Sequence, residues 1–158
     1  MAAGKPDRFV VVPAVYVYLL RNAPMPGGRE VLLQLRRGTG FMDEHWAAAV
    51  AGHVEKGESV YDACGREAAE EVGATDVQLE PWCAMQRTGS GDPTDERVDY
   101  FFTSTSWSGT PRILEPAKCA DLRWFNLEAL PSPVVPHELR VLSTLRAGST
   151  APIVTHGF

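Results

Sequence analysis

The feature that most constrains this chain is a stretch of 23 residues, Gly52 to Ala74, GHVEKGESVYDACGREAAEEVGA. Ser59 is a natural N-cap, Asp62 three residues on can close a capping box, and Gly73 supplies the left-handed residue at which a helix stops. The spacing predicts a helix over Val60–Val72. On that helix Glu67, Glu70 and Glu71 stand at i, i+3 and i+4, so three carboxylates project from one face. Their mutual repulsion, about a few tenths of a kcal/mol per exposed pair, makes no sense for helix stability but suits a site that takes a divalent cation. Oxygen-only ligands with room for water favour Mg²⁺ or Mn²⁺ over zinc. Arg66 lies beside Glu67 and four residues before Glu70. Its planar fork can fix one of these carboxylates, or Glu58 from the preceding loop.

Taken alone, a Glu-x-x-Glu-Glu run is a solvated charged face. The full pattern is longer: Gly52, five residues, Glu58, seven residues, Arg66-Glu67, Ala68, one residue, Glu70-Glu71, one residue, Gly73, Ala74. Seven fixed identities arise by chance at about 10⁻⁹ per start position. The stretch is similar, at every fixed position, to the signature box of the Nudix hydrolases. That resemblance implies an α/β/α sandwich with a mixed β-sheet. It also implies divalent-metal-dependent hydrolysis of a diphosphate bond in a nucleoside diphosphate linked to another group. By the same resemblance Glu67, Glu70, Glu71 and the backbone carbonyl of Ala51 hold metal, with Mg²⁺ expected and Mn²⁺ able to substitute. Many members have Gly-Gly where this chain has Ala51-Gly52-His53; alanine supplies a carbonyl as well as glycine does. His53 is outside the pattern and reads as a loop residue. Gly52 and Gly57 let the loop backbone approach metal and phosphates closely, and Arg66 and Glu58 orient the carboxylates.

The remaining sequence bounds the surroundings. At 158 residues the chain reads as one domain, 1–158, able to bury about two thirds of its unfolded surface, with 1–8 and 149–158 as flexible or peripheral tails. A net charge of −5 and a pI near 5.3 argue against a polymeric nucleic acid, whose backbone needs a basic stripe. A small-molecule nucleotide that arrives with metal does not need one. Cys64, Cys83 and Cys119 have neither zinc nor redox-motif spacing and read as reduced thiols in a cytoplasmic protein. The apolar run from Phe9 to Leu20 contains Pro13 and is too short to span a bilayer. No membrane role is expected, and a monomer or homodimer is.

That run is the first predicted strand, rich in Val and Tyr. Arg21–Gly28 is a loop, Glu30–Arg36 a second strand, Arg37–His45 a mobile loop, and Trp46–Val50 a short strand that delivers the chain to Gly52. After the helix, Val77–Arg87 with Pro81 at an edge or bulge and Arg97–Ser104 form a hairpin. Short strands are expected at Arg112–Leu114 and Leu122–Phe125, then a helical turn capped by Asn126. Pro136 and Gly148 bracket a second helix, His137–Ala147.

Outside the box, Glu115 sits in a loop between two strands, where family members similar to this chain carry a further glutamate that binds metal or acts as base. Phe41, Trp46, Trp82 and Tyr100 are candidates to stack on a base, with core packing the competing role. The expected chemistry is attack of water on a phosphorus of a pyrophosphate bridge, with Glu67 or Glu115 taking the proton. Markers of the ADP-ribose, coenzyme A, dinucleoside polyphosphate and NADH subfamilies are missing past the box. This exclusion leaves a (deoxy)nucleoside triphosphate, cleaved to monophosphate and pyrophosphate, as the leading substrate, oxidised nucleotides included. The alternatives are hydrolysis of another nucleoside diphosphate derivative such as ADP-ribose, and a nucleotide sensor that kept the fold without the chemistry. A diphosphate isomerase is disfavoured because Cys64 lies inside the helix.

Overall fold

The computed structural model describes residues 7–89 and 91–158; most of the expected N-terminal arm, 1–6, lies outside the described residues. The strands are β1 (Val12–Asn22), β2 (Arg29–Arg36), β3 (Trp46–Ala48), β4 (Val50–His53), β5 (Glu80–Arg87), β6 (Arg97–Ser104), β7 (Cys119–Asn126) and β8 (Ile153–His156). The helices are α1 (Val60–Val72) and α2 (Pro136–Ala147).

β1 is the axis of the sheet. Its side chains alternate between two cores, as a strand's period of two requires. Ala14, Tyr16, Tyr18 and Leu20 join Val141, Leu142 and Leu145 of α2 in one core, while Val15, Val17 and Leu19 join Ala63, Cys64, Ala68 and Val72 of α1 in the other. A strand buried on both faces carries a continuous apolar run, which is why this segment stood out in the sequence. The sheet runs β3-β2-β1-β6-β5-β8 and is mixed: β1 pairs with β6 in parallel and with β2 and β4 antiparallel. With one helix on each face, the domain is the expected α/β/α sandwich.

One edge of β1 is shared. Residues 14–17 pair with β4, whereas 20–22 pair with β2. Beyond Val31, β2 leaves β1 and continues between β3 and β7. The sheet therefore forks, with β4 and its turn into α1 on one limb and the far ends of β2 and β7 on the other.

Four segments differ from the sequence reading. The expected strand Trp46–Val50 is two strands, β3 and β4, that join at buried Ala49 and belong to different limbs. No strand forms at 112–114: the Arg112 N–H donates to the Val72 carbonyl at 3.0 Å, so this segment serves the C-terminus of α1 instead of a sheet. The turn after β7 is not helical, although Asn126 Oδ1 accepts from the Glu128 N–H as a cap would. Within the expected tail 149–158, Ile153–His156 adds an edge strand parallel to β5. The Pro81 bulge is present, as a register slip between Pro81 and Cys83.

A buried acid lies where α2 meets β1 and β3. Glu138 is 2 % exposed, and its Oε1 accepts from the Tyr18 hydroxyl at 2.9 Å and the Ala48 N–H at 2.7 Å. Burial pushes its carboxyl up to about 7, against the pull of those hydrogen bonds. A carboxyl whose folded value is raised favours the protonated fold. Its contribution is present below the unfolded value of 4.5 and is lost as pH rises through about 7. Glutamine keeps the acceptor and cannot ionise. Between pH 4.5 and 8, Glu138→Gln should therefore gain on the order of 3 kcal/mol relative to the parent, measured by urea unfolding of both proteins. A difference that does not change with pH would refute this.

Candidate active site

Residues 52–74 fold as their local chemistry dictates. The Ser59 hydroxyl accepts from the Asp62 N–H at 3.1 Å and Asp62 Oδ2 accepts from the Ser59 N–H at 3.0 Å, closing the capping box. Gly73 ends the helix at φ 71°; a side chain there would strike the Arg112 guanidinium.

Arg66 is the hub of the site. Its Nε and Nη2 donate to the two oxygens of Glu58 at 3.1 and 2.6 Å, and Nη2 also reaches the His53 carbonyl at 3.0 Å. Nη1 donates to Glu67 Oε1 at 2.7 Å and, more weakly, to Glu70 Oε2 at 3.4 Å. One planar cation thus ties the loop acid, the end of β4 and two helix acids together, which a lysine's single ammonium cannot do. The same guanidinium holds the Glu58 carboxyl below the usual carboxylate range.

Gly52 is needed for a different reason. A Cβ at that position would lie 2.2 Å from the Glu67 carboxylate, so only glycine lets Glu67 lie against β4. Glu71, on the next turn, accepts from the Ala51 N–H at 3.2 Å. Burial pushes its carboxyl well above the usual value, the Glu67 charge adds to this, and the Ala51 hydrogen bond opposes it.

These groups line one wall of a cleft of about 630 Å³ that opens in the fork of the sheet. Ala51, Gly52, Glu67, Glu70 and Glu71 form that wall, and Gln34, Arg36, Leu122, Glu115 and Lys118 contribute the opposite limb. Glu115, 41 residues beyond the box in sequence, is therefore brought to the same cleft. Its carbonyl accepts from the N–H groups of Lys118 and Cys119, both at 3.0 Å. The turn is docked on the other loop through the Arg37 N–H to the Lys118 carbonyl at 2.9 Å and Arg37 Nη2 to the Pro116 carbonyl. Gly38 lets the two loops meet: at φ 63°, its Cβ would lie 2.8 Å from the Ala117 carbonyl.

Among the described residues, no three His, Cys, Asp or Glu side chains are already gathered around one point as metal ligands. The donor set still fits a hard divalent cation. It is all oxygen, and burial with the Glu67 charge pushes the Glu71 carboxyl above its usual value, a cost that a cation would relieve.

The aromatic candidates separate. Trp46 is 8 % exposed and packs edge-on against Phe125 at 4.7 Å, in the core and away from the cleft. Tyr100 is half-buried against the α1-side core, and Trp82 donates to Thr144 Oγ1 at 2.8 Å. Phe41 is 40 % exposed and lines a second cavity on the far side of its loop. Arg36, His53 and Lys118, which sequence reasoning did not select, line the main cleft. No spacing signals them, because they come from strand ends and a turn that only the fork brings together.

The fold has counterparts in known proteins. A MutT NUDIX hydrolase from Burkholderia pseudomallei is 25 % identical, with a TM-score of 0.71 over 84 % of this chain and 95 % of that one. The ORF135 protein of E. coli, 23 % identical, superposes with a TM-score of 0.66 over 87 % of this chain and 89 % of its own. The NUDIX domain of Shewanella oneidensis NrtR, seen in complex with ADP ribose, is 19 % identical and has a TM-score of 0.67 over 88 % of each chain. The family model described as the NUDIX domain matches residues 11–145, which takes in both limbs of the fork, the whole box and most of α2. This chain belongs to the Nudix family.

Proposed function

We propose that this Nudix hydrolase cleaves a (deoxy)nucleoside triphosphate to the monophosphate and pyrophosphate, using Mg²⁺ with Mn²⁺ able to substitute. The observation that carries the reading is the Arg66 clamp. It fixes Glu58 and Glu67 beside Gly52 in a cleft that Glu70, Glu71 and Glu115 also face.

Glu67, Glu70 and Glu71, with the Ala51 carbonyl, are the groups that would hold the cation. A divalent ion there supplies charge neutralisation on the phosphate oxygens and acidification of a water. Arg66 keeps the helix acids in register with the loop, and the bidentate hold on Glu58 makes that loop a fixed wall. A water oxygen attacks phosphorus, a glutamate takes its proton, and the bridging P–O bond breaks with its electrons leaving on the pyrophosphate. Arg36 and Lys118 on the opposite limb offer positive charge to the phosphate oxygens. A sensor that had lost the chemistry would be expected to lose the clamp as well, and here every hydrogen bond of the clamp is made.

A panel of nucleoside triphosphates, oxidised nucleotides and ADP-ribose, assayed with Mg²⁺ for monophosphate release, tests the substrate. ADP-ribose belongs in the panel because the NrtR domain is seen with that ligand. The expected result is a triphosphate preference, and turnover of ADP-ribose alone would replace this reading. Activity should require millimolar Mg²⁺ or Mn²⁺ and rise toward alkaline pH, since metal ligation and proton abstraction both need ionised carboxylates. Full activity in excess chelator would contradict the metal assignment.

A further inference from the structure

Helix α1 ends with the wrong charge for a helix. Its aligned carbonyls make the C-terminal end negative and favour cations there, yet its last turn holds Glu70 and Glu71 and no basic residue. α2 follows the rule, with Arg146 in its last turn and Arg29 Nη2 on the Leu145 carbonyl at 2.9 Å. At α1 the cation comes from a distant part of the chain. The Arg112 guanidinium lies over Gly73, its atoms 2.7 to 3.4 Å from the point a Cβ would occupy, and the Arg112 N–H donates to the Val72 carbonyl.

Arg112 belongs to a segment that runs from this helix end to the cleft. Residues 105–118 form no helix or strand, and a stretch without a hydrogen-bonded ladder keeps its place through its anchors. At the near end, Thr75 and Ser108 exchange backbone hydrogen bonds at 3.1 and 2.8 Å. Gly109, at φ 88°, lies so close to the Gly73 carbonyl that a Cβ would stand 2.9 Å from its oxygen. At the far end, the Lys118 carbonyl accepts from the Arg37 N–H. Between them Ile113 and Glu115 both line the cleft. The two ends do different work. Arg37 ties Glu115 to the limb it already stands on, whereas the contacts at Gly73 tie the segment to the helix that carries Glu67, Glu70 and Glu71 across the cleft. Arg112 makes the side-chain part of that link, three residues before Glu115.

We propose that Arg112 is a positioning residue: by seating its guanidinium on the C-terminal turn of α1 it sets where Glu115 stands relative to the acids of the opposite wall. The inference rests on the pyrophosphohydrolase reading with Glu115 in its chemistry. It also gives the Gly73 position a second use, since any side chain there would displace the guanidinium as well as strain the helix stop.

The test is a double-mutant cycle in kcat at saturating Mg²⁺ over the parent, Arg112→Ala, Glu115→Gln and the double variant. Arg112 is exposed and alanine keeps the N–H bonded to Val72, so the fold should persist, which melting temperatures verify; Arg112→Gln takes its place in the cycle should the alanine variant not fold. Arg112→Ala should lower kcat about tenfold to a hundredfold, the scale of a misplacement of about 1 Å, with KM within about threefold of the parent. In the Glu115→Gln background the same substitution should change kcat by less than about twofold, because the carboxylate it places is already gone. Equal losses in both backgrounds, as general destabilisation or a direct contact with substrate would give, overturn the proposal, and so does a parental rate in Arg112→Ala. A Glu115→Gln rate within about threefold of the parent overturns it too and leaves the hydrolase reading standing. If the parent hydrolyses no nucleotide, that reading fails, and amide hydrogen exchange decides whether Arg112 places Glu115. Faster exchange in Arg112→Ala at Lys118 and Cys119, whose N–H groups bond the Glu115 carbonyl, with α1 unaltered, supports it; unchanged exchange there overturns it.

Discussion

Glu71→Gln should lower turnover by about 10³-fold or more while leaving the melting temperature of the metal-free protein unchanged or raised. The two halves of this expectation have one cause. Glu71 lies on the same helix face as Glu67, faces the cleft with Glu115, and takes the Ala51 N–H as a compensating donor. Burial and the Glu67 charge push its carboxyl well above the ordinary 4.5. A folded value that is raised means that ionising Glu71 costs the metal-free fold stability as pH climbs above 4.5. Glutamine removes that cost and keeps an oxygen for the Ala51 N–H. On the metal assignment proposed above, the same substitution would remove one charged ligand, and the charge it would neutralise in the transition state would go uncompensated. Thermal melts of metal-free parent and variant at pH 8, beside their initial rates with Mg²⁺, check both halves. A variant that loses several degrees without metal would make Glu71 a structural acid and move the chemistry elsewhere.

Glu115→Gln should lower kcat by about 10² to 10⁴-fold with little change in KM, because proton transfer and charge neutralisation act in the transition state. The alternative base is Glu67, and the geometry separates the two. Glu67 Oε1 is already engaged by Arg66 at 2.7 Å, beside Gly52. Glu115 lies in the cleft on a turn that Arg37 and Gly38 hold in place. The nearby cation does not consume it, since Lys118 makes no ion pair among the described residues. Measuring Glu115→Gln and Glu67→Gln side by side at saturating Mg²⁺ decides the matter. A rate for Glu115→Gln within about threefold of the parent would leave Glu67 as the base.

Local order was legible in the chain. The span of α1, its capping box, its Gly73 stop and the reach of Arg66 to Glu58 all depend on residues within about two helical turns of each other, and side-chain spacing on a helix fixes those distances. The strand character of β1 was legible for the same kind of reason, since its Val- and Tyr-rich composition is a local property; that it is covered on both faces came from the two helices. The hairpin of β5 and β6 and the bracketing of α2 by Pro136 and Gly148 likewise rest on short-range turn and cap chemistry.

Tertiary structure decided what depends on partners distant in sequence. That β1 would give half of one edge to β4 and half to β2 is written in neither strand, yet this fork creates the cleft and brings Glu115, Arg36 and Lys118 to face α1. Trp46 and Phe41, equal as aromatic candidates in the sequence, parted because Trp46 lies in a strand covered by Phe125 while Phe41 sits on a loop with open space beside it. Residues 112–114 had a strand's composition, but the free carbonyl at the end of α1 took the Arg112 N–H. Strand β8, four residues long with Ile153 71 % exposed, carried almost no burial signal of its own. It forms because the edge of β5 offers unpaired backbone groups, and an open edge is a property of the assembled sheet.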